Sequence, residues 1–428
     1  MKVEISKLNA LADEKIQIKI AGLKAHSKLK ITAEAELPWC KGEKLSSYGI
    51  YSVDGKGQVD LDLAEPDEGT YKAADSMGLI YSLKKYESKN KNIVENICID
   101  APFIIHLQFE NEQDKEEVEL QRFLKTDDVS VMDISDGFSG KLFVNPKAAN
   151  KIILFISGSS GDTKALDLMA GPLSSRGFNV LTVPYFHAAG LPENLEEVPL
   201  EYFEKIFKWI RHNNIINKKN DEETQIYIHG TSKGAECALL LASRYKEVKK
   251  VAAISAHGYC FQALNGMGVK KDVSSWSYGG KSVPYIKIDN GIFLQDFQMC
   301  KEKGIPFGFA TTYKKSIEKS QNKEEARIKL ENSEADCLLV SSKEDNIWNS
   351  DDGCRMLVEI LKKSNYKHKV EFLSYEHMGH PLPIPYIIPL SENTSMPMMG
   401  GIFSSGGTLE GNIEGQYNSW MKTIEFFS

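Results

Sequence analysis

Ser232 stands at the centre of Gly230-Thr-Ser232-Lys-Gly234, between an apolar run, Gln225-Ile-Tyr-Ile-His229, and a helix-forming run that reaches Ala242. A serine hydroxyl is a poor nucleophile until a sharp turn lifts it clear of the chain and a neighbouring base takes its proton. Glycine two positions to either side suits such a turn, because Cβ atoms there would collide where strand bends into helix. The N–H groups opening the helix then lie beneath the hydroxyl and favour negative charge developing there. Gly-x-Ser-x-Gly is a weak pattern in isolation, and an ordinary helix cap is the competing reading. Its place between a buried strand and a helix is what gives it weight.

Activation needs an imidazole and a carboxylate to orient it, and on a sheet of this kind they follow the serine in the order acid, then histidine, at carboxyl ends of later strands. After Cys337-Leu-Leu-Val340 comes Lys343-Glu344-Asp345-Asn346-Ile-Trp348, and after Lys369-Val-Glu-Phe-Leu373 comes Glu376-His377-Met-Gly379-His380. Asp345 is the favoured acid; Glu344 stands next, and Asp351 and Asp352 fall on the following helix. His380 is favoured as base because Gly379 permits a tight approach before it, although on the residues alone His377 stays open. Oxyanion donors are expected from the backbone N–H of Lys233 and from Gly158 and Ser159 in the loop Ser157-Gly158-Ser159-Ser160-Gly161, where small residues let backbone approach a ligand. A phosphate cradle suits this loop poorly, since neither Gly-x-x-x-x-Gly-Lys-Ser/Thr nor Gly-x-Gly-x-x-Gly occurs in it.

Other residues take plainer readings. His229 reads as a packed core imidazole, and His187 and His257, each after a strand, either line a pocket or bond to backbone. Trp348 reads as packing beside the acid loop. No paired helical histidines and no Cys/His cluster occur, so neither a metal nor another cofactor is expected. Seven scattered cysteines without ligand spacing read as buried thiols in a reducing compartment.

These residues must be carried by a scaffold of alternating strands and helices, and from about Asp127 onward the chain supplies one. Short, nearly continuous apolar runs, the mark of strands covered on both faces, begin at Lys151, Phe178, Gln225, Val251, Cys337 and Lys369. Helical stretches at Leu200 to Arg211, Ser232 to Tyr245 and Asn349 to Lys363 separate them, which predicts a mostly parallel, doubly wound sheet. The aromatic-rich stretch from Gly258 to Thr311 is too long for a simple crossover and reads as a lid or pocket wall, with ordinary core packing as the alternative. Gly400 to Gly407 reads as a loop before a last helix ending at Phe427. Before about Phe123 the rhythm is different: Lys15–Ile20, Leu29–Ala35, Gln58–Leu63, Ile104–Phe109 and Glu117–Leu120 alternate with period two, which predicts an antiparallel, immunoglobulin-like sandwich.

The chain's 428 residues exceed the size of one core, so two domains are expected, residues 1–125 and 126–428. A formal charge of −7 excludes a basic nucleic-acid-coating protein, and no apolar run approaches the length of a membrane span. The first residues lack the apolar stretch of a secretory signal, which points to a cytoplasmic protein.

Taken together, these motifs resemble the acyl-CoA thioesterase and bile-acid-CoA:amino-acid N-acyltransferase family, over nearly the whole chain. Asp75-Ser-Met77-Gly78-Leu is similar to the family's Asp-Pro-Met-Gly-Leu, Ser232-Lys-Gly-Ala-Glu236 to its Ser-Lys-Gly-Gly-Glu elbow, and Glu344-Asp345-Asn346-Ile-Trp348 to its Asp-Asp-x-x-Trp acid loop. Leu173 to Leu181, Leu200 to Lys205, and Gly379-His380 with the prolines after it follow the family pattern too. The resemblance implies an α/β hydrolase preceded by an immunoglobulin-like sandwich, a triad of Ser232, Asp345 and His380, an acyl-CoA substrate and no cofactor. It also implies hydrolysis, because the family's amino-acid transferases carry Cys where its thioesterases carry Ser. The same triad could serve an acyl-CoA-dependent N- or O-acyltransferase or a carboxylesterase, and an inactive scaffold with the sandwich as an interaction module is the reading outside enzymology. This chain departs from the family at Thr231 and Ala235 and in the loop Gly158-Ser-Ser-Gly161, which bears on acyl specificity and on the second oxyanion donor.

Overall fold

The structure, a computed structural model, describes residues 1–38, 42–88, 98–148, 150–161, 163–216, 224–264, 271–380, 384–387 and 395–428. The chain forms two compact units. The first runs to Thr126 and takes in a short return segment beginning at Ile384, and the second comprises the rest from Asp127 onward.

Among the described residues the first unit is all-β apart from one turn of helix at Gly78–Tyr81. Its larger sheet pairs Lys28–Glu36 with both Glu43–Ser52 and Phe103–Glu110, and Phe103–Glu110 in turn with Lys115–Phe123. A three-stranded sheet of Lys2–Ile5, Ile18–Ala21 and Val59–Asp60 accompanies it. Leu29, Ile31, Ala33 and Ala35 are buried while the residues between them face outward, as period-two patterning requires. The expected strand over Gln58–Leu63 narrows to Val59–Asp60. The ten-residue strand Glu43–Ser52 escaped the sequence reading because its buried positions are Glu43, Leu45, Ser47, Gly49 and Tyr51, which show no apolar alternation. Ser47 enters the interior by donating its hydroxyl proton to the carbonyl of Leu79.

The second unit is an α/β hydrolase. Among the described residues its main sheet has eight strands, β1 (Ser130–Ser135), β2 (Ser139–Val144), β3 (Lys151–Ile156), β4 (Asn179–Thr182), β5 (Gln225–Thr231), β6 (Val248–Ile254), β7 (Asp336–Ser342) and β8 (Val370–Tyr375). They lie in the order β1-β2-β4-β3-β5-β6-β7-β8. Strands β3 to β8 are parallel, and the hairpin β1–β2 closes one edge antiparallel. The order reverses beside β3, so a crevice opens past the carboxyl ends of the strands there. The main helices are α1 (Lys164–Ser175), α2 (Glu201–His212), α3 (Lys233–Arg244), α4 (Asn290–Lys303), α5 (Ala310–Lys319), α6 (Ser350–Lys363) and α7 (Leu409–Phe427). Helix α2 buries Tyr202, Phe203, Ile206, Phe207 and Ile210 along one stripe, whereas α3 is buried at every position from Lys233 to Ala242 and forms the central support of the sheet.

The expected loop at Gly400 to Gly407 contains a strand instead: Gly401–Ser404 pairs with Ser395–Met398, and Phe403 buries itself against Phe307. Among the cysteines, Cys237, Cys260, Cys300, Cys337 and Cys354 are buried, but Cys98 is exposed, contrary to expectation, and Cys40 lies outside the described residues. No described helix is long and apolar enough to cross a membrane.

Candidate active site

Ser232 occupies the single residue between β5 and α3, with φ 57° and ψ −122°. A non-glycine residue in this region is strained by roughly 1–3 kcal/mol and persists only where its surroundings hold it. The Ser232 N–H donates to the Ile254 carbonyl at 2.9 Å, and the Ser232 carbonyl accepts from Ala235 and Glu236 in the first turn of α3. The flanking glycines are sterically required. A Cβ on Gly230 would lie 2.1 Å from the Gly234 carbonyl oxygen, and one on Gly234 would lie 2.1 Å from the Ser157 carbonyl oxygen.

Asp345 follows β7 and His380 follows β8. His380 Nδ1 lies 2.9 Å from Asp345 Oδ2, the acid side chain fully buried and the imidazole 12% exposed. Burial acts to raise the Asp345 carboxyl, but the charge and hydrogen bond of His380, the Ser350 hydroxyl and the Ile347 N–H together hold it below its ordinary value. The acid is therefore an anion at neutral pH, and it fixes the proton of His380 on Nδ1. Gly406 joins the two loops: a Cβ there would meet the Glu344 carbonyl, and one on Gly379 would meet the Gly406 carbonyl 2.2 Å away. The His380 N–H donates to the Ser405 carbonyl at 2.9 Å, the Gly379 N–H to Asn412 Oδ1 at 2.7 Å, and the Ser342 hydroxyl to the Gly379 carbonyl.

The alternatives raised by the sequence sit elsewhere. His377 is 69% exposed and pairs with Glu344 at 3.0 Å. Asp351 accepts from Ser341, Ser374 and Arg355, and Asp352 lies in a surface pair with Lys314. His187 pairs with Glu193 on the surface. His229 and His257 are fully enclosed, and burial lowers them to about 3 and about 4. Both are neutral core imidazoles, His229 edge-on to Phe155 and His257 among Tyr259, Phe261 and Trp348.

Ser232 and His380 line one cavity of about 530 Å³ together with Ser159. Its remaining wall is mostly apolar: Leu264, Ile288, Phe293, Leu294, Phe309, Ile347, Met399 and Phe403. The stretch from Gly258 to Thr311 thus divides, for Ile288, Phe293 and Phe309 form cavity wall whereas Phe261 and Trp276 pack in the core. Among the described residues no hydrogen bond links Ser232 Oγ to His380, a looseness common in triads before substrate binds. Gly158 comes against Ser232, the position of its missing Cβ lying 3.4 Å from Ser232 Cβ. Among the described residues neither the Ser159 N–H nor the Lys233 N–H has an acceptor. No three His, Cys, Asp or Glu side chains among the described residues are grouped to hold a metal.

Beneath the elbow lies a set of side chains that the sequence reading missed. Lys233 Nζ pairs with Glu236 Oε2 at 2.6 Å, both side chains buried. Glu236 Oε1 accepts from Trp276 Nε1 at 2.7 Å and from the Phe261 N–H at 3.1 Å. Trp276 stacks on Tyr185, whose hydroxyl donates to the Gly158 carbonyl at 2.5 Å. The available signal was weak: Tyr185 follows β4 in Pro184-Tyr-Phe-His, and Trp276 lies among aromatics whose partners are far away in sequence.

Comparison with known proteins covers most of the chain. A family model described as BAAT / Acyl-CoA thioester hydrolase C terminal matches residues 198–428, and one described as Acyl-CoA thioester hydrolase/BAAT N-terminal region matches residues 13–136. The chain is 25% identical over 433 residues to the bile acid-CoA:amino acid N-acyltransferase of Mus musculus, covering 98% of this chain and 95% of that one. It is 24% identical over 426 residues to acyl-coenzyme A thioesterase 6 of Homo sapiens, covering 97% and 93%. Among solved structures, the esterase domain of a Rhodothermus marinus protein matches 70% of this chain and 99% of its own at 13% identity and a TM-score of 0.35, which adds nothing to the topology described above.

Proposed function

The chain belongs to the BAAT / acyl-CoA thioester hydrolase family, and from that premise we propose that it is an acyl-CoA thioesterase working through Ser232, His380 and Asp345. The observation that carries the reading is a strained serine and an Asp-bonded imidazole opening together on an apolar cavity. Ser232 Oγ attacks the thioester carbonyl while His380 Nε2 takes its proton, and Asp345 stabilises the imidazolium that results. The carbonyl oxygen becomes an oxyanion, received by the N–H groups of Lys233 and Ser159. Collapse of the tetrahedral intermediate breaks the C–S bond, and the proton on His380 passes to the departing thiolate. A water molecule, deprotonated in turn by His380, attacks the Ser232 ester and releases the free acid. An alkyl chain gains about 0.8 kcal/mol for each CH₂ group buried, so the Phe293, Leu294 and Phe403 wall supplies binding energy away from the reacting atoms.

A thiol-release assay over a panel of acyl-CoA esters tests the reading. Ser232→Ala should lower turnover by roughly 10⁴–10⁶-fold with the fold unchanged, and wild-type rates in that variant would remove the mechanism. Acyl transfer to an amine is the second reading, favoured by N-acyltransferases among the relatives. It predicts conjugates, detectable by mass spectrometry, when amine acceptors are added; serine as nucleophile speaks for water as the acceptor.

A further inference from the structure

We propose that Tyr185 is a positioning residue for this reaction, its hydroxyl fixing the Gly158–Ser159 peptide so that the Ser159 N–H faces the tetrahedral oxygen. The proposal deepens the hydrolase reading and rests on it. The Gly158 carbonyl accepts two hydrogen bonds, from the Tyr185 hydroxyl at 2.5 Å and from the Gly161 N–H at 3.1 Å. In a trans peptide the carbonyl and the next N–H point in opposite directions. A carbonyl held against Tyr185, which is wholly buried, therefore turns the Ser159 N–H the other way. Ser159 is exposed and lines the cavity beside Ser232, Gly158 abuts Ser232, and among the described residues nothing accepts the Ser159 N–H. The turn closed by Gly161 directs that N–H outward as well, since only the N–H at the fourth position of such a turn returns to the first carbonyl.

What holds Tyr185 also holds the other donor. Its ring stacks on Trp276 at 5.6 Å, Trp276 Nε1 is anchored on Glu236, and Glu236 pairs with the side chain of Lys233, whose backbone N–H is the first oxyanion donor. All of these side chains are buried. The two donors come from loops about 75 positions apart in sequence, and this chain of contacts ties their separation to one rigid unit. A preorganised pair of donors acts only as charge develops, so loosening one should affect the transition state and leave substrate binding alone.

Tyr185→Phe keeps the ring and removes the hydrogen bond. In the full chain, kcat for an acyl-CoA ester should fall by about 10- to 100-fold, less than the loss of a whole donor, with KM within about twofold. The affinity of an acyl trifluoromethyl ketone, whose Ser232 adduct carries an oxyanion, should fall in parallel. A merely structural role would not weaken the ketone while sparing KM. Unchanged kcat, or a lower kcat with undiminished ketone affinity, overturns the proposal. Should Tyr185→Phe not fold, Ser159→Pro decides, because proline is accepted at the second position of the turn and deletes the N–H itself: a fall of at least about 10-fold in kcat supports the role and an unchanged kcat overturns it. Fluorophosphonate labelling of wild-type Ser232 keeps the two readings apart, for an unlabelled wild-type serine counts against the nucleophile, whereas a labelled wild type with equal labelling rates in both variants counts against Tyr185 alone.

Discussion

Asp345 shows how one side chain can be both buried and charged. Enclosure alone would favour the neutral acid, yet the imidazole of His380 and two further donors, the Ser350 hydroxyl and the Ile347 N–H, outweigh it, and the carboxyl titrates below its usual range. Because its folded pKa is depressed, the stabilisation it contributes is present above the unfolded value and is lost only as pH falls through the folded one. Its ionisation therefore does not limit activity at pH 5 or above. Asp345→Asn would leave His380 with a partner that does not hold the productive tautomer, and kcat should fall by about 10³–10⁴-fold at pH 7. His377, exposed and paired only with Glu344, offers the contrast: His377→Gln should keep kcat within about twofold. Steady-state kinetics on the two variants separate these histidines, for which the residues alone offered only the hint of Gly379 and the choice of His380 came from the family resemblance.

At the scale of elements, the site depends on places where two backbones touch. Gly234 is pressed against the carbonyls of Ile156 and Ser157 at the carboxyl end of β3, and neither can give way without disturbing the sheet. Gly234→Ala should cost more than about 3 kcal/mol in urea unfolding, or prevent soluble expression, whereas a loss under about 1 kcal/mol would mean that the turn is softer than described. The strand, turn and helix around Ser232 were legible because three signals agreed: a doubly buried strand, paired glycines and an amphipathic-to-buried helix. Strands β7 and β8 were legible from their short apolar runs alone, β7 buried and β8 half-buried at the sheet edge, and they bring Asp345 and His380 with them. What stayed hidden depends on distant partners. The Gly400 to Gly407 cluster looks like a loop, but Gly406 is small because the acid and base loops pass on either side of it, and Gly401–Ser404 pairs as a strand because Phe403 has a core to enter. Tyr185, Trp276 and Glu236 were equally silent, since a hydrogen bond between the segment after β4 and the loop after β3 leaves no periodic trace.

Over the whole molecule, two buried imidazoles set a common response to acid. His229 and His257 titrate near 3 and 4 when folded and near 6.5 when unfolded, so between those limits the unfolded chain binds more protons. Stability of the hydrolase unit should consequently fall as pH drops from about 6.5 toward 4, by up to about 1.4 kcal/mol per pH unit for each histidine. Urea midpoints measured across that range should show the slope, and His229→Leu should flatten it whatever it does to stability at pH 8. The first unit, its sheets built on Leu29, Ile31 and Phe109, contains neither histidine and should not share the slope. In the proposed reaction the acyl group passes through an ester bond to Ser232. Acid quenching during turnover of an acyl-CoA ester, followed by peptide mass spectrometry, should find the acyl group on the peptide containing Ser232 and nowhere in the Ser232→Ala protein. Thiol release at the wild-type rate from Ser232→Ala, or an acyl adduct on another side chain, would contradict it.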